Sequence, residues 1–210
     1  MTNIEVEIRG PLKAKQLQGL KKFLAENGKF IGRKSRLSLM YFPKKIPKDV
    51  WTMKNELVDL RLRITNGQTQ MVMKYGQWAG SDIRQEFEFP IEKNKFGAAV
   101  EFLTALGWTK AVACATNAFI YQYCGIEFAL VEIKGYGYMY EAEILAKNKK
   151  DVSAAKKKIK IICLQLGLRE YEPGEFERQC NQINNTKKLQ FDFAKTSFNI
   201  FKRQFKKFFK

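Results

Sequence analysis

The chain begins with apolar and charged side chains in strict alternation: Ile4, Val6 and Ile8 against Glu5, Glu7 and Arg9. A period of two sends these sets to opposite faces of a strand. The period then changes. Pro11 is placed to open a helix whose Leu17, Leu20, Phe23 and Leu24 share one face, and Gly28 is placed to close it. A strand is predicted over 36–42, and Pro43 and Pro47 break the stretch 43–55 into a loop. Two alternating runs, 58–65 and 70–75, flank Asn66-Gly67, a hairpin signal because both turn positions need positive φ. Further strands are predicted over 81–91, 112–123, 127–133 and 138–145, with a helix over 96–106 stopped by Gly107 and a bend at Gly135-Tyr136-Gly137. Asp151 is placed to cap a helix bearing Val152, Ala155, Ile159, Ile162 and Leu166, and Gly167 ends it. A short helix over 173–182 follows.

Strands in mostly antiparallel order with few helices define an α+β chain. About eight strands with so few interruptions suggest a closed or nearly closed barrel, or a strongly curved sheet, with flanking helices. The expected division is a barrel domain over 1–183 and a basic, Phe-rich tail over 184–210. Phe191, Phe198, Phe201, Phe205 and Phe208 recur there at helical spacing among Lys195, Lys202, Arg203, Lys206, Lys207 and Lys210, which predicts a C-terminal basic amphipathic helix. Three roles stay open for it. It can pack on the barrel or on a sister chain in a homodimer, lie on an anionic membrane surface, or contact nucleic acid.

Composition narrows the chemistry. With 38 Lys and Arg against 21 Asp and Glu, the 210 residues carry a formal charge of +17, which suits a polyanionic partner. No histidine is present, and the four cysteines form no CxxC pair, which excludes common zinc spacings and histidine-based triads. No apolar run approaches the ~18 residues of a membrane span, and no signal-peptide layout is visible. A cytoplasmic protein is expected, peripheral to a membrane only if residues 186–210 make it so.

The polar faces of the strands hold the candidate chemistry. They carry Glu5, Glu7 and Arg9; Arg61 and Arg63; Lys74; Arg84, Glu86 and Glu88; and Glu141 and Glu143. One reading is a solvated sheet face dotted with mixed charges. The other turns these charges inward, where they need water, metal or ligand as company. Carboxylates hold hard cations through oxygen, while arginine forks and a lysine hold phosphoryl oxygens.

In this order, Glu-x-Glu-x-basic, Arg-x-Arg with a following lysine, Arg-x-Glu-x-Glu, and Gly-x-Gly before a last Glu-x-Glu, the chain resembles the CYTH superfamily, the triphosphate tunnel metalloenzymes, over about residues 1–180. The resemblance implies an antiparallel barrel that binds a triphosphate with Mg2+ or Mn2+. By it, Glu5, Glu7, Glu141 and Glu143 are metal-binding. Arg9, Arg61, Arg63, Lys74 and Arg84 bind phosphate, and Glu86, Glu88 and Arg9 are the catalytic candidates. The implied activity is metal-dependent hydrolysis of an inorganic or organic triphosphate. A class IV adenylyl cyclase making cyclic AMP is the first alternative, and a catalytically weakened polyanion binder the second. The second draws on three departures. Arg9 stands where relatives usually have lysine, residues 113–118 lack a basic pair, and Val131 stands in place of an aspartate.

Overall fold

The computed structural model describes residues 4–42, 58–75, 85–148 and 150–209. Among the described residues are nine strands and five α-helices: β1 (Ile4–Leu12), α1 (Ala14–Asn27), β2 (Lys29–Tyr41), β3 (Val58–Thr65), β4 (Gln68–Tyr75), β5 (Gln85–Ile91), α2 (Phe96–Ala105), β6 (Lys110–Tyr123), β7 (Ile126–Ile133), β8 (Gly137–Ala146), α3 (Asp151–Gln165), α4 (Glu175–Asn184), β9 (Gln190–Asp192) and α5 (Phe198–Gln204). The loop expected over 43–55 and the first residues of the strand expected over 81–91 lie outside the described residues. The chain divides into two compact units, Met1–Lys34 with Thr116–Arg178 and Ser35–Ala115 with Gln179–Lys210. The eight long strands form an antiparallel sheet, and β2 and β6 contribute a half to each unit.

In the first unit the strand order is β1, β8, β7, β6, β2. One face of this sheet is apolar. Val6, Ile8, Phe128, Leu130, Tyr140 and Ala142 pack there with Leu17, Leu20 and Leu24 of α1 and Ala155, Ile159 and Cys163 of α3. Leu24 and Ile159 are wholly buried, and each such side chain contributes roughly 1.5–3 kcal/mol of apolar burial. The alternation read from the sequence therefore sends Glu5, Glu7 and Arg9 to the opposite face.

Pro11 does not open α1. β1 runs on to Leu12 with Pro11 opposite Met139, and α1 starts after Lys13, whose backbone N–H is accepted by Gln16. β1 pairs only with β8 among the described residues, and a proline is tolerated on a strand where its missing N–H leaves no ladder bond unmade. Asp151 is the first helical residue of α3 and not its cap. Asn148 does that work, accepting from the backbone N–H of Lys150 and Asp151 through its side-chain oxygen.

In the second unit the order is β9, β6, β2, β3, β4, β5. The hairpin between β3 and β4 has the expected turn, with φ of 50° at Asn66 and 82° at Gly67. Leu37, Leu39, Leu60, Leu62 and Ile64 meet Phe96, Val100 and Leu103 of α2 in a second core. The tail completes this core, but not as one long helix. Residues 190–192 add a strand to β6, with Phe191 opposite Ala111. Asp192 then turns the chain by accepting from Ala194 N–H, and Ser197 caps the short α5. Phe191, Phe201 and Phe208 are buried, so the rings at helical spacing serve the core and are not displayed for a bilayer. Among the described residues no helix is long and apolar enough to cross a membrane.

Candidate active site

Two charged rows emerge on the polar faces, one in each unit. In the first unit, register sets Glu7 directly across from Glu143 and Arg9 across from Glu141. On the other side of β8, Glu127 lies across from the same Glu143. Glu7, Glu143 and Glu127 therefore form one row over three strands. Like charges directly opposed across antiparallel strands are unfavourable unless something neutralises them. Two cations do part of this. Arg9 forks onto both carboxylate oxygens of Glu7 and approaches Glu141 at 3.4 Å, while Lys34 reaches Glu127 at 3.6 Å.

The compensation is incomplete. Burial pushes the Glu7 carboxyl up to about 8 despite Arg9, with Glu141 and Glu5 adding to the rise. Burial also lifts Glu143 to about 7, reinforced by Glu5, Glu127 and Glu141 against the pull of Lys34. Groups that hold protons this tightly lie where a positive charge is wanted. As the side chains stand, no three acidic or thiol groups among the described residues cage an ion. The donor chemistry nonetheless fits a hard divalent cation, because every donor is a carboxylate oxygen and negative charge is in surplus.

Arg9 is held in place from the side. The backbone N–H of Tyr171 donates to the Arg9 carbonyl at 3.1 Å, and the Tyr140 hydroxyl donates to the Arg169 carbonyl at 3.1 Å. A side chain at Gly10 would put its Cβ 1.9 Å from that same carbonyl oxygen, so the close approach requires glycine. The Arg9 guanidinium carbon sits 5.4 Å from the centre of the Phe176 ring, a cation–π contact.

In the second unit, Asp59, Arg61 and Arg63 lie on one face of β3, opposite Lys74, Val72 and Gln70 of β4. Lys74 and Val72 in turn lie opposite Glu86 and Glu88 of β5. Arg61 forks onto Asp59, with its Nε 2.6 Å from Oδ1. Arg63, only 5% exposed, donates to Glu88 at 3.3 Å, and Gln70 donates to the other oxygen of Glu88 at 3.2 Å. Cys114 in the same unit has its thiol raised to about 11 by burial, with Arg61 pulling the other way.

The structure thus gathers Glu5, Glu7, Arg9, Glu141 and Glu143 in one unit, and Arg61, Arg63, Lys74 and Glu88 in the other. Glu86 takes its expected place in the ladder, and Arg84 lies outside the described residues. Sequence reading missed Glu127, Lys34 and Asp59. Asp59 had a visible signal, since Asp-x-Arg-x-Arg puts it in phase with both arginines. Glu127 and Lys34 become legible only through register, which sequence does not print.

The family model described as the CYTH domain matches residues 3–178, and the chain belongs to that family. Among solved structures it is similar to a protein from Pyrococcus horikoshii OT3, at 22% identity and a TM-score of 0.66, over 85% of this chain and 99% of that one. It is also similar to a putative adenylate cyclase from Vibrio parahaemolyticus, at 15% identity and a TM-score of 0.62, over 86% of this chain and 99% of that one. A third, a putative adenylyl cyclase from Hippeastrum described as having a dominant triphosphatase activity, shares 16% identity at a TM-score of 0.55, over 81% of this chain and 91% of that one. At these identities the fold is what is shared. No curated protein matches the chain.

Proposed function

We propose that the chain binds a triphosphate together with Mg2+ or Mn2+ and hydrolyses its terminal anhydride bond. The observation that carries this reading is the row Glu7–Glu143–Glu127, three carboxylates opposed across neighbouring strands with more negative charge than Arg9 and Lys34 supply. Membership of the CYTH family supports the triphosphate, because members are triphosphatases or adenylyl cyclases.

Glu5, Glu7, Glu141 and Glu143 would hold the metal, whose part is to neutralise phosphoryl charge as the anhydride breaks. The remaining work falls to the chain. Arg61, Arg63, Lys74 and Arg84 grip phosphoryl oxygens, and the planar guanidinium forks set the orientation of the transferred group. Glu88, with Glu86 beside it in the strand, accepts a hydrogen bond from the attacking water and fixes it in line with the leaving oxygen. Arg9 stays charged and shields the row of acids. It is a phosphate clamp and not a proton acceptor.

A slower variant of this reading has its own support. Arg61 is already matched by a buried carboxylate, Asp59, which is 8% exposed, so the basic face offers a substrate less net charge than its arginine count suggests. A polyanion binder with weak turnover is the second reading.

The test is phosphate release from tripolyphosphate and from ATP, with and without Mg2+ or Mn2+, in the wild type and in Glu143→Gln. Metal-dependent release that disappears in Glu143→Gln supports hydrolysis. Cyclic AMP from ATP would replace hydrolysis with cyclisation. Binding of tripolyphosphate without turnover would select the second reading, and activity untouched by Glu143→Gln would remove the acidic row from the chemistry.

A further inference from the structure

The C-terminal part of the second unit sorts its side chains by chemistry. Phe191, Phe201 and Phe208 turn into the core, which leaves the cations between them on the surface. Asn199, Lys202, Arg203 and Lys206 are the described residues that line a hollow of 790 Å³. Among the described residues no carboxylate pairs with Lys202, Arg203 or Lys206. Their neighbour Lys207 is engaged differently, with its Nζ 4.7 Å from the centre of the Phe208 ring. The platform is anchored, because the Gln204 amide donates to the Lys188 carbonyl at 2.9 Å and Phe201 is wholly buried.

A fixed, concave surface lined by uncompensated cations is built for a polyanion. Lys202 lies in α5 and Lys206 opens the short 3-10 turn that follows Phe205, so consecutive turns of the chain bring their charges to one hollow, an arrangement suited to several phosphates of an extended strand. Of the rings that would enter a bilayer or stack on bases, Phe191, Phe201 and Phe208 are buried and Phe193, Phe198, Phe205 and Phe209 pack half-buried against them. A hollow also grips a strand better than it meets the plane of a membrane.

We propose that this basic hollow on α5 binds the sugar–phosphate backbone of a single nucleic-acid strand, independently of sequence and apart from the triphosphate chemistry. The contacts are Lys202, Arg203 and Lys206 to phosphate oxygens, with the Asn199 amide beside them.

The experiment is fluorescence anisotropy of the full chain with a short labelled oligouridylate and an oligothymidylate, both with 5′ hydroxyl ends, over a salt series. Three phosphate contacts on a single strand give a slope of log K against log salt of about −2. Lys202→Ala, Arg203→Ala and Lys206→Ala combined should weaken binding at least tenfold at low salt and flatten that slope. These positions are exposed, and circular dichroism confirms that the variant folds. Removing the same charge from α3, by Lys156→Ala, Lys157→Ala and Lys158→Ala combined, should change binding less than twofold. Equal affinity for the RNA and DNA strands supports backbone recognition. Preference for RNA alone overturns it, because the 2′ hydroxyl would then be read. Equal losses from the two triple variants overturn the proposal in favour of bulk charge. Retention on phosphatidylserine vesicles without oligonucleotide binding overturns it in favour of a membrane. An equal loss on Arg61→Ala would move the strand to the triphosphate-binding face, whereas failure of the phosphate-release assay leaves this result unaffected.

Discussion

Phe201→Ala is the sharpest perturbation the structure offers. Phe201 has no exposed surface, and its ring lies between 5.0 and 6.0 Å, centre to centre, from Phe96, Phe191, Phe193, Phe198, Phe205 and Phe209. Truncating a core phenylalanine costs about 3–5 kcal/mol, more where the surroundings cannot collapse. Six ring neighbours drawn from α2, from β9 and from the residues in and flanking α5 make collapse difficult, so the cost should fall in the upper half, about 4–5 kcal/mol. Against a total stability of about 5–15 kcal/mol for a native domain, that is a large fraction. With a urea m-value of about 2–3 kcal/mol/M, the unfolding midpoint should drop by about 2 M. The assay is urea unfolding followed by tryptophan fluorescence and circular dichroism, with Phe201→Leu as a volume-sparing control expected to lose less than half as much. A loss below about 1 kcal/mol would refute the reasoning, since that is the range of an ordinary surface change. It would mean that the tail rings do not share the core with α2.

Glu143→Gln should raise the thermal midpoint of the metal-free protein, because it removes the centre of a row of like charges worth about 0.2–1 kcal/mol per opposed pair, and should abolish the shift that Mn2+ produces in the wild type; a lower metal-free midpoint would contradict the repulsion. Gly10→Ala should destabilise by about 1–3 kcal/mol through overpacking against the Arg169 carbonyl, read as a lower urea midpoint together with faster proteolysis around residue 170. Glu175 is held down to about 2 by its hydrogen bonds with Arg169, so its contribution is full above the ordinary carboxylate range and fades as pH falls from about 4.5 toward 2; Glu175→Gln should flatten stability over that acid window and leave its pH dependence above 6 unchanged. Burial raises the thiols of Cys114 and Cys163 to about 11, while Cys124 is exposed; at pH 8 a thiol reagent should label Cys124 first, with Cys114 and Cys163 reacting only on unfolding.

Which face the charged side chains take was legible because strand period does the sorting. Once Ile4, Val6 and Ile8 are assigned to a core, Glu5, Glu7 and Arg9 have only one face left, and the same holds for Arg61 and Arg63 against Leu60, Leu62 and Ile64. What period cannot give is register. Nothing in the sequence says that Glu127 stands beside Glu143 or that Lys34 answers it, since both depend on how far one strand slides along the next. Local chemistry also misled at three places. Pro11 carried a helix-start signal that the strand overrode, and Asn148 did the capping expected of Asp151. In the tail, phenylalanines three and four apart imitate a helix, yet Asp192 and Ser197 cut the segment into a strand, a turn and a short helix.

Both units are discontinuous in the chain, and the second draws on 35–115 and again on 179–210. During synthesis the ribosome therefore releases β3, β4 and α2 long before Phe191, Phe201 and Phe208 exist to cover them. Their apolar surface must wait through the translation of some sixty intervening residues. Such a delay invites chaperone engagement and predicts that nascent chains stalled before residue 191 accumulate as aggregation-prone species.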